Sequence, residues 1–96
     1  MNRYARRDGV LIEPVGHVWA AYSPATGETS LLNDESASIL EILSLGAAST
    51  ESVCMSLAAD TGLAVDALTE IVEACWPRLI EAGLAREQRP HDCVAR

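Results

Sequence analysis

Lysine is absent from this chain, and the arginines that carry its positive charge stand almost entirely at its two ends. Arg3, Arg6 and Arg7 lie near one end and Arg86, Arg89 and Arg96 near the other. Residues 8–85 therefore hold twelve carboxylates against Arg78 alone, a formal charge of −11, within a chain whose total is −7. So acidic a body repels nucleic acid and anionic membrane surfaces, and suits a basic or apolar partner. Long apolar runs are missing as well. Nothing approaches the roughly 18 consecutive apolar residues of a spanning helix, so no membrane segment is indicated. The arginines of the first eight residues have no apolar stretch behind them long enough for a signal peptide, and the expectation is a cytoplasmic protein.

The side chains of common site chemistry are equally sparse. Cys54, Cys75 and Cys93 form no C-x-x-C pair and leave one over, which makes neither a disulfide framework nor a zinc site. Cys54 and Cys75 fall within helical patterns, where a free thiol packs as a small apolar residue. The two histidines, His17 and His91, have no partner at metal-ligand spacing. His91-Asp92-Cys93 has the residue types of a catalytic cluster, but nothing beside it would fix its geometry or exclude water. No glycine-rich phosphate loop occurs; Gly27, Gly46, Gly62 and Gly83 read as turns and helix stops. No catalysis, metal or cofactor is expected.

What the sequence does contain is a change of hydrophobic period within two residues. Up to Leu32, the run Glu28-Thr29-Ser30-Leu31-Leu32 suits an extended strand. Beyond Asn33, Ala37, Leu40 and Leu43 recur at helical spacing, with Ile39 and Ile42 widening the apolar face. Asn33 is the expected N-cap, and Asp34 and Glu35 put negative charge at the positive end of the helix dipole. Sheet precedes this junction and helix follows it.

In chain order, residues 9–13 read as a first strand ended by Pro14, residues 17–22 as a second, and residues 28–32 as a third after the turn cluster Ser23-Pro24-Ala25-Thr26-Gly27. Short links make these an antiparallel meander with the second strand in the middle and the third at an edge. A first helix spans 34–45 and stops at Gly46 as a left-handed C′ residue; a second is capped by Ser49 and ended by Gly62. A third runs from about residue 65 to Gly83, with Leu84 folding back on Leu79 as in a Schellman ending. Pro77 falls inside that third helix, where a kink or a break and restart is expected. One domain with one modest core results: an N-terminal arm (1–8), a folded body (9–85) and a flexible C-terminal tail (86–96). The fold class is α+β, a three-stranded antiparallel sheet followed by three helices.

This arrangement resembles the PqqD-like family, the precursor-peptide recognition elements. The resemblance rests on Leu32-Asn33, Ala37, Ile39-Leu40, Leu43, Gly46, Ser49, Val53, Leu57, Leu68, Val72, Leu79 and Gly83-Leu84, over roughly residues 9–85. Trp19 and the run from Gly27 to Asn33 look most like the branch found beside HPr-kinase-related proteins. The resemblance implies a winged-helix-like domain without catalysis of its own. It would serve cofactor or natural-product biosynthesis by binding the leader of a ribosomally made peptide and presenting it to a modifying enzyme encoded nearby, such as a radical-SAM or kinase/transferase-like protein. The leader would lie as an added strand on the third strand, in a groove shared with the third helix. Pro77 and the acidity depart from the family pattern.

The residues supply their own argument. An edge strand offers a row of unpaired N–H and C=O groups, and Glu28, Thr29, Ser30, Leu31 and Leu32 include neither the lysine nor the proline that usually blunts such an edge. A peptide, the chain's own termini or a second copy in a homodimer could cover it. Leu68, Ile71, Val72, Cys75 and Trp76 are candidate groove walls on the third helix, and core packing against the first helix is the alternative for each. A Trp76 at a groove lip would fit peptide capture; one wedged under the sheet would not. Two other functions compete. A structural adaptor could dock on a kinase-like or transferase partner without any peptide. A winged-helix DNA binder would read through the third helix, but that helix carries Asp66, Glu70, Glu73 and Glu81 against Arg78, the wrong sign for phosphate contacts.

Overall fold

A computed structural model of the protein describes residues 3–88. Its class is α+β, with six strands and three helices among those residues. The strands are β1 (Arg3–Arg6), β2 (Leu11–Val15), β3 (Val18–Ser23), β4 (Glu28–Leu32), β5 (Ala48–Ser49) and β6 (Ala85–Gln88). The helices are α1 (Asp34–Leu43), α2 (Thr50–Thr61) and α3 (Val65–Glu81).

The expected meander is present, in the order β2-β3-β4 with every pair antiparallel. Its first strand begins two residues later than the sequence suggests and runs through Pro14 to Val15. An edge strand tolerates that proline, because only one of its sides needs N–H donors. Side chains alternate across the sheet. Ala21 and Ser23 are fully buried on the inner face, opposite Ser30 and Glu28; the outer face carries Leu11, Val15, Val18, Tyr22 and Leu31, all exposed.

The ends of the chain depart from the sequence reading. Residues 3–6, expected as part of an arm, pair with 85–88, of which 86–88 are the expected start of a flexible tail, in a second sheet of order β5-β1-β6. An aromatic stack ties this sheet to the helices. The rings of Tyr4 and Trp76 lie parallel, 4.0 Å apart, and the Trp76 indole N–H donates to Thr50 Oγ1 at 2.8 Å. Burial pushes the Tyr4 phenol above its ordinary pKa, and the carboxylates of Glu87 and Glu73 add to the shift.

The helices follow their sequence signals closely. Asn33 caps α1, accepting from the Ser36 N–H at 2.9 Å, and Ser49 caps α2, accepting from the Ser52 N–H at 3.2 Å. The end of α1 is different from expectation. The helix stops at Leu43, and Ser44, Leu45 and Gly46 each donate to the carbonyl three residues back. This last turn is of 3₁₀ type, and it satisfies the end without a left-handed residue. Gly46 has φ +141°, outside the left-handed helical region.

The third helix is a single element of 17 residues, so Pro77 introduces no break. Its end is the expected Schellman motif: Gly83 has φ +75° and donates to Ile80 O, and Leu84 donates to Leu79 O at 2.9 Å. Leu84 is fully buried against the core, which also takes Ile39, Leu40, Val53, Leu57, Val72 and Leu79. Cys54 and Cys75 are free and buried, as small apolar packing requires.

Candidate functional site

The meander leaves its last strand at an edge. In the strand order β2-β3-β4, only β3 pairs with β4 among the described residues. The opposite edge belongs to β2, where Pro14 removes a donor; β4 contains no proline and no lysine. Leu31 is 70% exposed on the outer face of β4, while Ser30 and Leu32 are half-buried on the inner one. Trp19, paired with Leu32, donates its indole N–H to Asp34 Oδ1 at 3.0 Å, which ties β3, beside the end of β4, to the first turn of α1.

A groove of about 370 Å³ separates β4 from α3, lined by Glu28, Ser30, Pro77, Arg78, Glu81 and Ala82. Of the expected strand residues Glu28 and Ser30 therefore lie beside α3, while Thr29, Leu31 and Leu32 do not line the groove, and the helix half is corrected. Leu68, Val72, Cys75 and Trp76 are all buried in the core cluster. Trp76 is 4% exposed, held by Tyr4 and Thr50 under the terminal sheet, and does not line the groove beside β4.

Ile71 is the one expected wall residue that stays on the surface, at 37% exposure. At helical spacing it shares a stripe with Ala74 and Arg78, three and seven residues further on, and both are exposed. Pro77, Arg78, Glu81 and Ala82 continue that face. The sequence signal for it is weak because the stripe mixes alanine, proline and charge, whereas the strong apolar period of α3 marks the core.

The groove is acidic at its rim. Glu28 from β4 and Glu81 from α3 line it with a single guanidinium, that of Arg78, so a basic side chain is favoured near Glu28 and Glu81. Pro77 lacks an N–H and leaves the Glu73 carbonyl without its helical partner, a consequence of the residue type alone.

Other chemistry is thin. His17 is exposed, and no group of His, Cys, Asp and Glu among the described residues could hold a metal ion. The His91-Asp92-Cys93 cluster lies outside the described residues. No described helix is long and apolar enough to cross a membrane. No family model, curated protein or solved structure matches the chain.

Proposed function

We propose that the chain is a non-catalytic peptide-recognition domain. It binds the leader of a ribosomally made peptide by strand addition to β4 and presents it to a modifying enzyme, as the PqqD-like resemblance implies. One observation carries the reading: among the described residues β4 has an unpaired side, free of proline and lysine, beside a groove against α3. Main-chain pairing supplies affinity there, and alternate side chains of the peptide supply selectivity. One set would project beside Leu31, and the other would enter the groove between Ser30 and Ala82. Glu28 and Glu81 favour a leader with basic residues, so affinity falls modestly with salt.

The test is a backbone-amide NMR titration of the full chain with the leader of the small peptide encoded nearest to it. Shifts concentrated in residues 28–33 and 71–82 are expected. Saturating leader with no change there would sink the proposal. Proline variants add a sharper arm. In an antiparallel ladder alternate residues point their N–H groups outward. Of Thr29→Pro and Ser30→Pro, one should therefore damage the pairing with β3, and the other should keep the fold and abolish binding.

A second reading has its own observation. The outer face of the meander exposes Leu11, Val15, Val18, Tyr22 and Leu31 together, which suits an adaptor docked on a kinase-like or transferase partner. Val18→Glu would weaken that docking and leave the β4 edge intact, whereas the tolerated proline variant would do the reverse.

A further inference from the structure

The arginines pose a separate question. Among the described residues Arg3, Arg6, Arg7 and Arg86 all belong to the terminal sheet or its margins, on either side of the acidic stretch in the chain. A cavity of about 540 Å³ opens there, between the β1–β2 link and the end of α1, and Arg6, Arg7 and Arg86 line it together.

Two of the four guanidinium groups are committed to main-chain carbonyls. Arg3 donates to Ala47 O at 2.8 Å. Arg6 donates to Val10 O at 2.7 Å and reaches Leu40 O at 3.4 Å, at the negative end of the α1 dipole. Arg7 and Arg86 have no such engagement. Both are exposed, and neither side chain has a hydrogen-bond or ion-pair partner among the described residues. A second concavity, lined by Pro24 and Ala25 of the β3–β4 turn, shares Arg7, Asp8 and Arg86 with the first. Among the described residues Asp8 is the one carboxylate lining either cavity, so those lining residues carry a net positive charge inside a chain of net charge −7.

The geometry points to an oxyanion-binding site formed by Arg7 and Arg86, taking a phosphate or carboxylate group of a small ligand. Guanidinium forks match both groups in a bidentate way, and two arginines lining one opening would favour such planar or tetrahedral oxyanions over chloride. Arg6, fixed by its carbonyl bonds, supplies a positive floor. Asp8 opposes the ligand and sets a ceiling on affinity. The site is separate from the β4 edge and does not depend on peptide binding there.

Titration of the ¹⁵N-labelled full chain with inorganic phosphate, and separately with succinate, tests this at ionic strength held constant with sodium chloride. Saturable shifts at the amides of Arg7, Asp8, Gly46 and Arg86 are expected from at least one of the two anions. Whichever saturates at lower concentration names the source. Arg7→Gln and Arg86→Gln should each weaken binding roughly tenfold while leaving the rest of the spectrum in place. Asp8→Asn should tighten it, a change that a purely structural role for Asp8 would not produce. Shifts that grow linearly with both anions and equal those of sodium chloride would overturn the proposal. So would saturation that persists unchanged in the Arg7→Gln/Arg86→Gln double variant.

Discussion

The two sheets of this molecule are assembled in opposite ways. The meander draws β2, β3 and β4 from one continuous stretch and joins them by short turns. The terminal sheet gathers β1, β5 and β6 from opposite ends and the middle of the chain, pairing Arg3 with Gln88 and Arg6 with Ala85. Pairing across so long a loop costs more closure entropy than a hairpin does. Something must offset that cost, and the Tyr4–Trp76 stack under β1 is the structural element placed to do so. The meander is tied down by hydrogen bonds rather than a ring stack, from Trp19 to Asp34 and from Ser23 to Gly83 O. Among the described residues its outer face and one clean edge stay open. The difference teaches that the sheet with room for a partner is the one whose own pairing is local.

The hardest blow to this contrast is Trp76→Ala. It removes the stacked ring and the bond to Thr50, and should cost about 3–5 kcal/mol in denaturant unfolding. Amide exchange should speed up more in β1 and β6 than in β3; equal acceleration in both sheets would refute the division of labour. Next comes the link between the sheets. A Cβ at Gly83 would stand 2.6 Å from Ser23 Oγ and 2.8 Å from Thr26 Cγ2, and φ there is +75°. Gly83→Ala should therefore cost about 2–4 kcal/mol. Gly62 also has positive φ, but nothing lies within 4 Å of its added Cβ, so Gly62→Ala should cost only about 1–2 kcal/mol.

Ser23→Ala probes the same link more gently. The buried Ser23 hydroxyl donates to Gly83 O at 2.7 Å and accepts from the Thr26 N–H at 3.3 Å. Its loss should cost about 1–3 kcal/mol by the same measurement. The smallest effect concerns pH. The folded state holds the Tyr4 phenol above its ordinary pKa of 10.0, so it keeps a proton that the unfolded chain gives up first. Stability from this source is complete below the ordinary value and is lost as pH rises through the folded one. Unfolding midpoints compared at about pH 8 and about pH 11 should fall more for the native chain than for Tyr4→Phe.

The same contrast explains what the sequence disclosed. The meander, both side-chain caps and the Schellman ending at Gly83 are governed by residues within a few positions of each other, and each was legible. The terminal sheet was not. Arg3–Arg6 shows only weak alternation, and the residues that stabilise it, Trp76 and Thr50, lie far away in the chain. At the candidate site, β4 was readable from its composition and place at the edge. The helix wall was misread because the strongest apolar stripe of α3, through Leu68, Val72, Cys75 and Leu79, faces the core. The surface that meets β4 is built from Pro77, Arg78, Glu81 and Ala82, whose mixed character leaves no periodic trace.

The antiparallel match of Arg3 with Gln88 makes the backbone almost a closed ring, its two described ends separated only by the width of a strand pair, about 5 Å. A short glycine linker could therefore join them, and new ends could be cut at the exposed Gly16-His17 turn between β2 and β3. Such a circular permutant would carry the terminal sheet as an uninterrupted hairpin. The chain, conversely, enters the described fold at Arg3 and leaves it at Gln88 on one and the same pole of the molecule.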